Sequence, residues 1–350
     1  MIVRLGKKWL PAIAVVAMMG FSVAAQAQTA SPAVTEFYKG LKEFTVYIGS
    51  TTGGGYDQYG RLYARHIGRH LPGNVTVVPR NMPAGSGRAV MNYVFTIAPK
   101  DGSAVGTTLR NVPFDPLMGV SETKIDPERL TWIGSMNAET SLCVSWHTTP
   151  FHTVDDIRDR EIQVGSSGPS AADSTHAKLL NAVAGTKMKI VLGYSGSTEV
   201  HLAMERGEVD GRCGLGWDSI VSRYKQWLDE KKIYLLAQFA IDKHPDIPNV
   251  PWIMDLARNE EGRQMAALSL GPNKMGRPLF APPDIPAERV TFLRDSFVAT
   301  MKDPELRADA KKMEIDVVYM DGAATEALYR QLYATPRPVV EATRAIMEGK

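Results

Sequence analysis

The sequence predicts an α/β protein built as two lobes, each a sheet wrapped by helices, with a cleft between loops of both. Three observations predict it. Strand-like runs alternate with runs of helical period, the mark of a sheet covered by helices. Both halves follow one plan of strand, small-residue loop and helix, once around Gly53-Gly54-Gly55 and once around Ser166-Ser167-Gly168-Pro169-Ser170. The chain of 350 residues is also more than one compact core usually organises.

Residues 1–27 read as a secretory leader. Arg4, Lys7 and Lys8 give a basic start, residues 9–24 are almost wholly apolar, and Ala25-Gln26-Ala27 fits a small-x-small cleavage pattern. The apolar run contains Pro11 and is short for a membrane span, and no comparable run follows. No Cys follows it to carry a lipid anchor. The expectation is a soluble, periplasmic product that starts near Gln28 and acts as a monomer. The formal charge of +2 includes the three leader cations, so the mature chain is near neutral. That argues against nucleic acid as the partner, because counterion release needs a basic face. Cys143 and Cys213 are the only cysteines. In an exported protein such a pair can form a disulfide, the alternative being two buried thiols.

In chain order, Phe44, Val46 and Ile48 alternate with smaller or polar residues and predict a strand. Three glycines follow, and apolar residues return at 59, 62, 63, 67 and 71, the spacing of one helix face. Val75, Val77 and Val78 make a second strand, the loop 81–87 opens a helix through Val90, Tyr93 and Ile97, and Ala104 to Leu109 a third strand that ends at Arg110. Leu142 to Trp146 reads as a strand crossing elsewhere. The plan then repeats with Ile162 to Val164, a helix from about Ala172 to Gly185, Lys189 to Leu192, and a helix closing at Gly207. Val209 to Cys213 and Ile233 to Ala240 are further strands, Arg277 to Pro283 an extended return, and the remainder amphipathic helix broken by prolines. Lobe 1 is thus expected over 28–141 and 277–350, and lobe 2 over 142–276.

A strand–glycine turn–helix unit leaves the first N–H groups of its helix pointing at whatever fills the turn, which suits an anion. Gly53-Gly54-Gly55 lacks the Lys-Ser/Thr of a nucleotide loop, and Gln58 stands where a dinucleotide fingerprint needs its last Gly. Asp57 belongs to the turn, although a carboxylate beside an anion repels it and a capping or dipole role is the simpler local reading. Arg61, Arg65 and Arg69 read as a solvated helix face, and His66 and His70 as surface histidines without the Glu of a zinc-protease pattern. Arg110, closing a strand at the ligand edge of the sheet, can pair with a carboxylate in bidentate fashion. Gly193-Tyr194-Ser195-Gly196-Ser197 nearly forms a nucleophile elbow but ends in Ser197 instead of Gly. Ser197 as N-cap with Glu199 in the first turn accounts for it. An exported serine hydrolase using Ser195 or Ser197 is the rival reading.

Taken together, these motifs resemble the Bug or TctC-type substrate-binding proteins of tripartite tricarboxylate transporters. The resemblance rests on Gly53-Gly54-Gly55-Tyr56-Asp57 with Arg61, Asn81-x-Pro83-x-Gly85, Pro99-Lys100-Asp101-Gly102, Ser167-Gly168-Pro169, Gly193-Tyr194-Ser195-Gly196-Ser197, Gly207-Glu208-Val209-Asp210, Ile247 to Pro251 and Ala281 to Pro286. It covers essentially the whole mature chain. Thr51-Thr52, Ala84, Ser86 and Lys100 depart from the family pattern. The resemblance implies a type II-like, two-lobed periplasmic binding fold, each lobe a mixed sheet flanked by helices. It implies capture of a small carboxylate between the lobes, delivery to membrane permease subunits, no cofactor or metal, and no catalysis. The expected ligand residues are Thr51, Thr52, Gly53 and Gly54, to which the resemblance points, together with Tyr56, Asp57, Asn81, Gly85 and Arg110, all from the first lobe. From the second come Ser166, Ser167, Gly168, Ser170, Tyr194 and Ser197.

Overall fold

The structure is a computed structural model that describes residues 30–169 and 171–348. The leader, its cleavage site and Ser170 lie outside the described residues. Helix α1 (Pro32–Gly40) precedes β1 (Glu43–Ile48), α2 (Gly55–Ile67), β2 (Thr76–Asn81), α3 (Arg88–Thr96), β3 (Ala104–Thr107) and β4 (Thr131–Ser135). The chain then enters β5 (Ser141–Trp146), α4 (Asp156–Asp159), β6 (Ile162–Ser166), α5 (Ala172–Ala184), β7 (Met188–Leu192), α6 (Ser197–Glu205) and β8 (Gly211–Gly216). It continues with α7 (Trp217–Arg223), α8 (Lys225–Asp229), β9 (Ile233–Phe239), α9 (Ile253–Leu256) and α10 (Glu260–Lys274). The remainder is β10 (Pro278–Ala281), α11 (Ala287–Lys302), α12 (Pro304–Lys312), β11 (Met320–Asp321), α13 (Gly322–Tyr333) and α14 (Arg337–Glu348).

Two mixed sheets result. The first has the order β11-β4-β10-β3-β1-β2, with β1, β2 and β3 parallel and β10 antiparallel to β3 and β4. The second has the order β7-β6-β8-β5-β9, with β6 parallel to β7 and β8, and β5 antiparallel to β8 and β9. The parallel strands follow from the strand–loop–helix repeats, because each helical crossover returns the chain in the same direction. β4 had no expectation in the sequence: Thr131 to Ser135 shows no alternation, because its last four residues are all buried.

Each sheet has its own core. Phe44, Val46, Ile48, Leu62, Tyr63 and Phe297 are buried on one face of the first, and Val164, Leu180, Leu236, Phe239 and Ile253 in the second. The chain passes between the sheets twice, through residues 136–140 and back through 274–277. These two segments bond to each other, with Glu139 N donating to Asn273 O at 2.9 Å and Met136 N to Arg277 O at 3.0 Å. α13 packs on β4, whereas α14 lies against α5 and α10 with Val339 among the core residues of the second sheet. The final helix therefore ties the region 277–350 back to the other sheet, because its stripe of Val339, Val340 and Thr343 needs a face to bury against.

Two local expectations need correction, and one open alternative is decided. His66 is buried, its Nε2 3.0 Å from Asp309, and His70 Nε2 lies 3.0 Å from Asp303, so His66 ties α2, and His70 the turn after it, to the α12 region. Arg61, Arg65 and Arg69 are not simply solvated: Arg61 bonds Asp57 and Asn81, and Arg69 pairs with Asp303 and Glu305. The cysteines are not separate thiols, since Cys143 on β5 and Cys213 on β8 form a disulfide across neighbouring antiparallel strands. With a sequence separation of 70, this crosslink stabilises by about 4 kcal/mol in the chain-entropy limit. Replacing both cysteines with alanine is expected to lower the unfolding free energy by about 2–4 kcal/mol in urea titrations. Stability indifferent to both the substitution and reduction would contradict this.

Candidate functional site

The loops after β1, β2 and β3 pack together at the carboxyl edge of the first sheet. Thr108 Oγ1 donates to Gly87 O at 2.8 Å, Arg110 N donates to the Tyr56 hydroxyl at 2.9 Å, and Asn81 Nδ2 donates to Ser50 O at 2.9 Å. Gly53 adopts φ +84°, the left-handed region that glycine enters freely, and this turns the chain into α2. The α2 N-cap is Gly54, with no side-chain cap bond, so the first N–H groups of the helix are left to other partners. Gly85, φ +62°, lies in the neighbouring loop 84–87.

Beneath this turn lies Asp57, 2% exposed. Its Oδ2 accepts Gly53 N–H at 2.8 Å, and its Oδ1 accepts Arg61 Nε–H and Asn81 Nδ2–H, both at 2.8 Å. Arg61 Nη2 in turn donates to Asn81 Oδ1 at 2.7 Å. Burial pushes the Asp57 carboxyl up, but Gly53, Asn81 and Arg61 together hold it below the ordinary carboxylate range. Asp57 and Asn81 therefore spend these polar atoms inside the turn, where Asp57 holds Gly53 N–H ahead of the helix.

The second lobe repeats the device. Asp173, 3% exposed at the start of α5, accepts Ser167 N–H at 3.0 Å and the Ser167 hydroxyl at 2.9 Å through Oδ2. Its Oδ1 lies 2.5 Å from Ser166 Oγ and accepts Ser174 N–H at 2.9 Å. Arg212 Nη2 stands 4.0 Å away, as the guanidinium of Arg61 stands beside Asp57. Ser166 is fully buried and supports the turn from within, whereas Ser167 is exposed. Gly214, at φ +69°, lets β8 approach α5: a Cβ there would lie 2.7 Å from Asp173 N. The α5 N-cap, Ala171, has no side chain able to cap.

A cavity of about 290 Å³ lies between the two sheets. Tyr59, Arg110, Asn137 and Arg277 line it from the first, and Ala172, Gly214, Gly216, Asp218 and Ser219 from the second, with Glu139 and Thr140 from a crossing segment. Among the predicted ligand residues Arg110 alone lines it. The glycine turn reaches it through Arg277, whose Nη2 would lie 3.5 Å from a Cβ on Gly55, and α5 reaches it with its first residue, Ala172. Thr51 and Thr52 are exposed, Gly168 is half-buried, and Tyr194 packs its ring over Gly165 in its own lobe. Arg277 and Tyr59 carried no expectation. Arg277 immediately precedes β10, which runs antiparallel to β3, so the start of one strand sits beside the carboxyl end of the other. Asn137 and Glu139 follow β4, the strand without a sequence pattern.

The Gly193–Ser197 turn holds no catalytic set. Gly196, not Ser197, is the N-cap of α6, and Glu199 reaches back to accept Ser195 N–H at 2.6 Å. That bond, backed by the Ser195 side chain, holds the Glu199 carboxyl below its ordinary range. His201 Nε2 faces Arg212 Nη1 at 2.6 Å, and burial followed by that guanidinium pushes its imidazole down to about 4. Neither Ser195 nor Ser197 has a histidine partner among the described residues, which removes the geometry the hydrolase reading needs.

The fold and the cleft define a class before they define a protein: two mixed α/β lobes joined by crossing segments, the fold of periplasmic binding proteins. No protein-family model and no curated protein matches the sequence. Among solved structures, a TctC solute-binding protein from Polaromonas without ligand aligns with a TM-score of 0.67 at 19% identity, over 86% of this chain and 98% of that one. The periplasmic binding protein BugD aligns at 0.54 and 16% identity, over 86% and 97%. R. palustris Rpa4515 with adipate aligns at 0.53 and 17%, over 88% and 97%. The chain thus shares the fold of TctC and Bug-type binding proteins.

Asp57→Asn is expected to destabilise by about 2 kcal/mol at pH 7, since the charge that Gly53, Arg61 and Asn81 satisfy is lost. The depressed Asp57 carboxyl contributes stability above the ordinary carboxylate value and loses it as pH falls through the lower folded value. The gap between wild type and variant should therefore shrink in urea titrations near pH 3. A gap equal at both pH values would refute the scaffold role.

Proposed function

We propose that this protein is an extracytoplasmic solute-binding protein. It captures a small organic acid between its lobes and hands it, unaltered, to membrane permease subunits of a tripartite tricarboxylate-type transporter. The observation that carries the reading is one interlobe cavity that the start of α5 reaches through Ala172 and whose wall holds Arg110 and Arg277, with the Arg277 guanidinium beside the α2 turn at Gly55. Each helix start favours an anion by about 0.3–2 kcal/mol, so hydrogen bonds from N–H groups and hydroxyls and the exclusion of water supply the remainder.

Further support comes from three directions. The leader directs export, and no helix among the described residues is long and apolar enough to cross a membrane. The fold is shared with a TctC solute-binding protein and the periplasmic binding protein BugD, and also with R. palustris Rpa4515, which was solved with a dicarboxylate, adipate. The two crossing segments form a narrow joint about which the lobes can close, and a ligand held by both helix starts stabilises the closed arrangement relative to the open one. Thr51 to Gly54 and Ser167 to Ser170 are the proposed contacts of the ligand on the two lobes, with Gly85, Tyr194 and Ser197 on neighbouring loops.

The test is a thermal-shift screen with mono-, di- and tricarboxylates and aromatic acids, applied to wild type, Gly54→Asp and Gly168→Asp. Both sites have room: the nearest atom to a Cβ on Gly54 is 3.4 Å away, and a Cβ on Gly168 meets nothing within 4 Å. Asp at position 54 caps α2 itself, so that variant is expected to keep or raise its ligand-free melting temperature while losing the ligand-induced shift. Gly168→Asp is expected to lose the shift too. Undiminished shifts in both variants would place the ligand elsewhere, and no shift with any acid on wild type would overturn the reading.

A further inference from the structure

We propose that Arg212 is the positioning residue of the second-lobe anion site. Its buried guanidinium cancels the charge of Asp173 and ties the Gly193–Ser197 turn to the turn before α5, so the two turns act on one ligand as a unit. The inference rests on the anion-binding reading above and deepens it.

Arg212, 2% exposed on β8, serves three elements with one side chain. Nη2 stands 4.0 Å from Asp173 Oδ2, the oxygen that accepts the Ser167 N–H and hydroxyl. Nη1 donates to Ser197 O at 3.3 Å and to His201 Nε2 at 2.6 Å, both on α6, and Nη2 reaches Ser197 Oγ at 3.5 Å. Nε donates to Cys213 O at 3.2 Å, and Cys213 is bridged to Cys143 on β5, so the strand that carries Arg212 is itself pinned. Because a guanidinium only donates, His201 accepts at Nε2, which keeps its imidazole neutral. Asp173 is then the one ionised partner of Arg212 among the described residues.

The balance matters because of where Asp173 lies. It is the second residue of α5, bonded to Ser167, and its carboxylate repels any anion that the turn takes up. Bonds from Ser166, Ser167 and Ser174 occupy its oxygens but bring no net charge. Without a counter-charge, a buried carboxylate so near would weaken an anion at the turn by about tenfold or more. In the first lobe Arg61 offsets Asp57, but its side chain is 39% exposed and solvent screens it. The Arg212 side chain is 3% exposed, so compensation in the second lobe depends on this one buried group. Its bonds to Ser197 add a geometric role: both turns rest on the same planar, rigid fork, and a shift of one is transmitted to the other.

Isothermal titration of the mature chain with succinate, adipate and benzoate, together with amide hydrogen exchange, tests this. Arg212→Met is expected to weaken whichever of these acids wild type binds by about tenfold or more. Adding Asp173→Asn removes the stranded charge and should return affinity to within about threefold of wild type. A residue that only held the fold together would give the opposite, since the double variant lacks both partners. In Arg212→Met, exchange should quicken together over 166–169 and 193–201 and stay unchanged over 50–61. The His201 imidazole, set at about 4 by burial and then by this guanidinium, should titrate higher in that variant when followed by NMR. Where Arg212→Met alone does not fold, the double variant decides: binding near the wild-type level supports the role and binding weaker by tenfold overturns it. Unchanged binding in Arg212→Met, a double variant as weak as the single one, exchange that quickens in one turn only, or an unmoved His201 also overturns it, while leaving the anion-binding reading in place. Wild type that binds none of the three acids overturns both.

Discussion

A buried aspartate beneath a small-residue turn is the interaction on which this molecule depends, and it occurs twice. Asp57 and Asp173 each accept a backbone N–H from the turn before their own helix, and each has an arginine of its own lobe beside it. A carboxylate buried to that degree is costly unless fully bonded, so each turn is held in one conformation by the need to satisfy the charge. The negative charge is thereby committed to the scaffold of the turn. Thr51 and Thr52 stay exposed, whereas the Ser167 hydroxyl and Ser174 N–H bond to Asp173. An aspartate beside an anion site is thus compatible with anion binding when its lone pairs are all committed below.

The second constraint is the pair of crossing segments. Residues 136–140 and 274–277 bond to each other and place Glu139 and Arg277 between the sheets. Everything that distinguishes this cavity from a plain pair of helix starts comes from them: the Arg277 guanidinium against the Tyr56 and Tyr59 rings, the Glu139 carboxylate that bonds it and the buried Arg277 Nε. α14 adds a third tie by packing onto α5 and α10, so the lobes are joined by more than the two passages of the main chain.

The strand, glycine turn and helix at residues 43–67, and the matching unit at 162–184, were legible because each is local. Alternation, turn residues and a helical stripe lie within one short window, and the physics that forms them acts there. β4 was not legible, because a strand buried on both faces has no alternation to display. Nothing in Ser166-Ser167 says which hydroxyl turns inward, and burial settles that only once α5 packs. His66 and His70 were read as surface groups because the partners that claim them lie more than 200 residues away, at Asp309 and Asp303.

By itself the sequence determined the two-lobed α/β plan, the turns before α2 and α5, and the absence of a nucleotide or zinc signature, because those depend on residues close together in the chain. The tertiary structure decided which groups share the cavity. Arg110, Glu139 and Arg277 are far apart in sequence and meet only because β10 runs antiparallel to β3 and the two crossings bond side by side. It also decided that Cys143 and Cys213 pair, since the register of β5 against β8 is a property of the folded sheet. Contacts between distant segments follow from how strands order and helices pack, and that information is spread over the whole chain.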